Sequence, residues 1–103
     1  MNNIYDVLEN PRIRLGFIRD GDTLSEIASF LSGYFLALQI HGIDEGFELG
    51  QVGDFSDWLS RTYGISRTGG WISAVDQLTK EGESSVDSFL RLLKSFREDS
   101  KGS

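Results

Sequence analysis

Few side chains in this sequence have the chemistry for catalysis, and their spacing works against it. There is one histidine, His41, and no cysteine. A nucleophilic triad needs a histidine beside a serine or cysteine, and a histidine metal site usually recruits a second ligand of the same kind. His41 falls at an expected helix end, where a cation is welcome anyway, so its expected role is structural. Asp20-Gly21-Asp22 invites a calcium reading. An EF-hand loop, however, needs glycine at its sixth position and glutamate at its twelfth, and counting from Asp20 those places hold Ser25 and Leu31. Gly69-Gly70 before Trp71 has neither the spacing nor the lysine of a phosphate-binding loop. Asp44, Glu45 and Glu48 could hold a divalent ion between them, but three exposed acids near one loop are more simply solvated. Paired carboxylates for acid–base work need a shared cleft, which spacing alone does not reveal. The expectation is a protein with no catalytic residue, metal or cofactor, and no enzyme activity.

What the charges can do is bind. Between Arg19 and Arg61 there is no lysine or arginine, while residues 20–60 carry eight acids: Asp20, Asp22, Glu26, Asp44, Glu45, Glu48, Asp54 and Asp57. The whole chain is only −6, so this block outweighs the net total. An acid-only block repels nucleic acid and anionic membrane and attracts basic surfaces. Acids that merely keep a chain soluble would give the same count. The aromatics Phe47, Phe55, Trp58, Tyr63 and Trp71 cluster around the same stretch. Phe55, Trp58 and Trp71 are expected in the core. Phe47 stands in a loop between Gly46 and Glu48, as an apolar anchor rimmed by acids would. The candidate binding set is therefore Asp44, Glu45, Phe47, Glu48, Asp54 and Asp57.

The elements that must position these residues read as helices. Asn2 or Asn3 can cap a short first helix carrying Ile4, Val7 and Leu8, which Pro11 ends. Arg12 to Asp20 alternates apolar and polar residues, a weak strand or extended-linker signal. Thr23 and Glu26 form a capping box. Leu24, Ile27, Ala28, Leu31, Tyr34, Phe35 and Leu38 then follow at helical spacing. Phe30, Ala37 and Ile40 are apolar on the other side, so this helix is expected to be central and covered on more than one face. Gly33 within it suggests close approach of a neighbouring helix, and Gly42-Ile43 reads as its glycine ending.

Residues 43–53 form a glycine-punctuated acidic connection. Asp54 should cap a helix bearing Phe55, Trp58 and Leu59, ended by Gly64-Ile65. Ser66 or Thr68 should open the next, with Trp71, Ile72, Val75 and Leu78 inward. Ser84 and Asp87 make a further capping pair for a last helix with Val86, Phe89, Leu90, Leu93 and Phe96 on one stripe. The sum is an all-α compact bundle of about five helices with short loops.

One hundred and three residues suit one domain over residues 1–103, with 98–103 frayed. Without cysteine there is no disulfide framework. The first residues lack the pattern of a signal peptide, and the longest apolar stretch, Phe30 to Ile40, is broken by Ser32, Gly33 and Gln39. The expected location is the cytoplasm, with no membrane partner.

The order of these residues resembles a known family. Pro11 with Gly16, Thr23-Leu24 and Phe30-Leu31-x-Gly33-Tyr34-x-x-Ala37-Leu38 resemble the first half of a family of small bacterial immunity proteins. Phe55-x-x-Trp58-Leu59, Tyr63-Gly64-Ile65, Gly70-Trp71 and Phe89-x-x-Leu92-Leu93-x-x-Phe96 resemble its second half, so the likeness spans about residues 10–97. Arg12 and Arg14 stand where that pattern has apolar or aromatic residues. Members sit beside toxin genes of polymorphic and contact-dependent growth inhibition systems. The resemblance implies a helical cytoplasmic protein that binds and blocks one toxin domain, commonly a nuclease. It implies no particular binding residues, because the binding surface in such families varies with the toxin.

The leading expectation is thus an immunity protein for a basic toxin, an RNase or DNase, blocked through an acidic surface and with no direct contact to nucleic acid. An alternative is an acidic nucleic-acid-mimicking regulator of a host DNA-binding protein. A metal-dependent small enzyme is a third, and it lacks a titratable constellation. Oligomeric state stays open, a homodimer through an uncovered helix face included.

Overall fold

A computed structural model describes residues 3–50 and 53–101 of the chain. Its elements are six helices: α1 (Ile4–Glu9), α2 (Pro11–Arg14), α3 (Leu24–Ile40), α4 (Asp54–Tyr63), α5 (Gly70–Leu78) and α6 (Ser85–Lys101). No strand is present among the described residues, and the chain is an all-α bundle. Two connections, 15–23 and 41–53, are longer than the short loops expected.

The capping chemistry explains most helix boundaries. The Asn3 side chain accepts from the Tyr5 and Asp6 amides, and Asp6 answers to the Asn3 amide. Thr23 and Glu26 make the expected reciprocal pair at the start of α3. That helix ends in a Schellman motif, in which Ile43 N–H reaches the Leu38 carbonyl and Gly42 N–H the Gln39 carbonyl, with Gly42 at φ +63°. Gly64 (φ +67°) also ends α4 in the left-handed region, but there the Gly64 and Ile65 N–H groups both reach the Ser60 carbonyl. Ser84 Oγ accepts from the Asp87 amide at the head of α6.

Four local expectations are corrected. The alternating segment after Pro11 begins as helix, not strand. Asn10 accepts from the Arg12 and Ile13 amides, and Pro11 occupies the first helical position, where its missing N–H costs nothing. Gly53, not Asp54, precedes α4; Asp54 is its first helical residue, favourably placed at the positive end of the dipole. Neither Ser66 nor Thr68 opens α5. Gly69 (φ +91°) and Gly70 (φ +65°) make a left-handed turn closed to L side chains, and a Cβ on Gly69 would stand 2.9 Å from Ser73 Cβ. Residues 98–101, expected to fray, continue α6.

The core is continuous from α1 to α6. Phe55 is fully buried at its centre, its ring 5.4–6.5 Å from those of Trp58, Trp71, Phe89 and Phe96. Burying each such ring contributes about 1.5–3 kcal/mol. Thr79 and the buried Ser88 share a hydroxyl contact of 2.7 Å that joins α5 to α6. Arg91 holds the intervening turn, donating to Glu83 at 2.9 Å and to the Leu78 carbonyl at 2.9 Å. The guanidinium lowers the Glu83 carboxyl to about 2.

Helix α3 departs most from expectation. Leu24, Ile27, Leu31 and Leu38 are buried, so one face packs as its spacing requires. The other face is covered only at Phe30, which lies against Phe17; further along, Leu36 is 58% exposed and Ile40 70%. Beyond the helix's own backbone, no described residue comes within 4 Å of a Cβ built on Gly33. The neighbouring helix that Gly33 suggested is not found among the described residues.

Candidate functional site

The acidic connection is folded down onto the bundle by its own carboxylates. Asp44 accepts from the Gly46 amide at 3.1 Å, and Gly46 adopts φ +63°, which turns the chain. Glu45 then points inward. It accepts from the Tyr34 hydroxyl at 2.6 Å and from the Ile4 amide at 3.1 Å, so it ties α3 to the first turn of α1. Phe47 lies against Tyr34 and Phe35, with ring centroids 6.0 and 5.2 Å away. Glu48 accepts from the Tyr5 hydroxyl at 2.8 Å, and its carbonyl accepts from the Phe55 amide at 3.1 Å. The Arg97 guanidinium sits 3.7 Å over the Tyr5 ring, which adds α6 to the same joint. Leu49 is buried.

These contacts shift the two tyrosines in one direction. Burial, then the Glu45 hydrogen bond and charge, push Tyr34 up to about 12. Burial and Glu48 raise Tyr5 well above the ordinary tyrosine value. In both cases a neighbouring carboxylate disfavours a second negative charge.

The six candidate residues fall into two groups. Glu48, Asp54 and Asp57 line one open cleft of about 350 Å³. Trp58 and Phe96 form part of its wall, and Arg61, Arg67 and Asp99 also line it. Asp57 pairs with Arg67 at 3.6 Å, both side chains being largely exposed. Asp99 accepts from Trp58 Nε1 at 2.6 Å, which fixes a fourth carboxylate at the cleft. Asp44, Glu45 and Phe47 line a separate hollow of about 210 Å³ beside Phe35 and Ile43.

The geometry redistributes the expected roles. Glu45 is committed to Tyr34 and Ile4, and Phe47 is half-buried against two rings rather than free as an anchor. Asp54 and Asp57 stand in the first turn of α4, beside Glu48. Trp58, Trp71 and Phe55 are core residues, as their spacing suggested. Sequence reasoning missed Asp99, Arg61 and Arg67 as cleft residues. Asp99 follows Phe96 by three positions at the edge of the buried stripe of α6, and that spacing was its only signal.

Among the described residues, no three His, Cys, Asp or Glu side chains group into a metal-holding set. His41 forms the C-terminal cap of α3. No helix among the described residues is long and apolar enough to cross a membrane.

Compared with family models, curated proteins and solved structures, this chain matches none. The function must therefore be argued from the surface. What the cleft offers is a concave, mostly polar site with four carboxylates and two guanidiniums around Trp58 and Phe96. Such a site can take cationic side chains, with Arg61 and Arg67 disfavouring a partner whose charges are out of register.

Proposed function

We propose that the chain is an immunity protein, a non-enzymatic inhibitor that binds and neutralises a basic toxin domain, a nuclease acting on RNA or DNA. The observation that carries this reading is the convergence of Glu48, Asp54 and Asp57, three members of the acid-only block, with Asp99 on one cleft. A nuclease must attract phosphates, so its active cleft is rich in lysine and arginine. An acidic partner occupies that cleft by presenting carboxylates where phosphates would lie, and steering speeds capture before damage occurs. The resemblance over residues 10–97 supports the same class. Asp44 is a secondary contact on the loop. Glu45 and Phe47 act by holding that loop in place.

The test uses the chain as bait in lysate of its source cell, at low and high salt. The expected result is one basic toxin domain, retained stoichiometrically and released as salt rises. The double variant Asp54→Asn with Asp57→Asn keeps side-chain size and removes two charges, and it should weaken capture and flatten the salt dependence. Capture indifferent to salt and to both amides would remove the acidic-cleft mechanism. A chromosomal DNA-binding protein in place of a toxin would favour the regulator reading.

A further inference from the structure

We propose that the cavity between the α1–α2 corner and α6 binds a small carboxylic acid with an apolar body, its carboxylate held by Arg14. The cavity has a volume of about 300 Å³ and is mainly apolar. Leu8 of α1 and Leu90 and Leu93 of α6 supply the apolar lining, and no residue is shared with the acidic cleft. Around the leucines stand three cations, Arg14, Lys94 and Arg97, against a single carboxylate, Glu9. The acid-only block contributes nothing here. In a chain of net charge −6, an apolar hollow rimmed by cations is a place for an anion.

The three cations are not equivalent. Arg97 pairs with Glu9 at 3.1 Å and covers the Tyr5 ring. Lys94 is largely exposed, 4.0 Å from Glu98. Arg14 has no carboxylate partner among the described residues: its Nη1 donates to the Leu8 carbonyl at 3.2 Å, and its Nε is buried without a hydrogen-bond partner. An unpaired buried donor costs stability. Nε and Nη2 form the edge of the planar guanidinium that the Leu8 carbonyl does not use, and a carboxylate matches such an edge with two parallel hydrogen bonds. An acid in the cavity that draws this edge to its carboxylate removes the cost. The leucines define the rest of the ligand. Inorganic phosphate gains nothing from them, and a neutral apolar molecule leaves Arg14 as it is. A dry cavity of about 150 Å³ accepts a benzene ring. One of about 300 Å³ therefore holds a ring or branched chain together with its carboxylate. That volume is at the small end of ligand sites, which favours a free acid over a longer chain.

Chemical-shift titration of the full isotope-labelled chain tests this, with phenylacetate as the probe. The expected result is saturable movement of the Arg14, Leu90 and Lys94 amides, in the millimolar range or tighter, while the Asp54 and Asp57 amides stay still. Phenylacetamide has the same body without the charge, and inorganic phosphate has charge without the body. Each should bind at least tenfold more weakly. Arg14→Gln should weaken phenylacetate at least tenfold. Arg14→Lys keeps the charge but loses the two-pronged edge, and should restore only part of that loss. Lys94→Glu works from an exposed position, so it tests the site even if Arg14→Gln fails to fold. Its new carboxylate on the rim should weaken phenylacetate several-fold while cooperative melting persists. No saturable movement of these amides overturns the proposal, and so does equal binding of phenylacetamide. Affinity unchanged in folded Arg14→Gln or in Lys94→Glu also overturns it, leaving Arg14 as a mere prop for the Leu8 carbonyl. A peptide ending in phenylalanine that binds tenfold more tightly than phenylacetate overturns it in favour of a chain terminus. The capture test of the acidic cleft reads other residues, so the two proposals fail separately.

Discussion

The acidic cleft and the outer face of α3 are both exposed, and they are exposed for opposite reasons. At the cleft the carboxylates are charged groups that water stabilises, and they stand on firmly packed ground: Phe96 and Trp58 beneath them touch the ring of Phe55. At α3 the exposed groups are apolar, and exposure itself is the cost. The cleft can take cations that fit between Arg61 and Arg67, whereas the exposed face of α3 around Leu36 and Ile40 offers no charge of its own. Attraction at a distance is open to one region and contact alone to the other, so salt separates them. The comparison also shows that acids of one sequence block do different work. Asp54 and Asp57 face the cleft, while Glu45, a few residues earlier, is spent inside the molecule.

The largest expected effect breaks both regions together. Phe55→Ala removes the ring shared by α4, α5 and α6 and should cost about 3–5 kcal/mol in chemical denaturation. If the cleft and α3 belong to one cooperative unit, partner capture and helical circular dichroism should fail at the same denaturant concentration. Loss of one before the other would divide the molecule into separately melting parts.

The next effect separates the acids from one another. Glu45→Ala leaves the Tyr34 hydroxyl and the Ile4 amide without their acceptor, and should cost about 1–3 kcal/mol. Asp44→Asn, one residue away and exposed, keeps an oxygen for the Gly46 amide and should change stability by less than about 0.5 kcal/mol. Equal costs in paired denaturation curves would mean that Glu45 is no more structural than its neighbour, and would return it to the candidate binding set.

This division marks the boundary of what the sequence made legible. Helix boundaries set by local pairs were readable: Thr23 with Glu26, Gly42 with Ile43, Gly64 with Ile65, Ser84 with Asp87. So was the aromatic core, because helical spacing puts Phe55, Trp58, Trp71, Phe89 and Phe96 on inward stripes. Helix α2 was hidden, because Asn10 ends one helix and caps the next, and a four-residue helix is too short to display a period. The glycine pair before α5 was hidden, because a left-handed turn is a property of φ and not of a capping side chain. The hydrogen bonds of Glu45 and Glu48 were hidden for a different reason: their partners, Ile4 and Tyr5, lie 41 and 43 residues away. Asp99, 41 residues from Trp58, was missed in the same way. A charge pattern reports that acids are present and says nothing of which have already found a donor.

Gly33→Ala has a smaller effect and the opposite sign. Glycine in a helix interior is about 1 kcal/mol less favourable than alanine, and the added methyl meets no neighbouring group among the described residues. The melting temperature should therefore rise. A lower melting temperature would mean that a group lies against Gly33, and the contrast between the two regions would lose its exposed apolar half.

The smallest effect at neutral pH concerns the strut between the acidic loop and α3. Tyr34, pushed up to about 12 by burial and then by Glu45, binds its proton more tightly folded than unfolded, where tyrosine titrates near 10. A raised folded value contributes stability that is fully present below pH 10 and is lost as pH rises from there through about 12. Alkali should thus loosen the strut, and tyrosinate absorbance should show a late-titrating group that Tyr34→Phe removes. Glu45→Gln keeps an acceptor for the hydroxyl and removes the charge, so it should bring that group only part of the way back toward 10, the remainder being burial. A full return would assign the shift to charge alone and make Tyr34 a surface residue. No movement would detach Glu45 from Tyr34 and with it the anchoring that distinguishes this acid from those in the cleft.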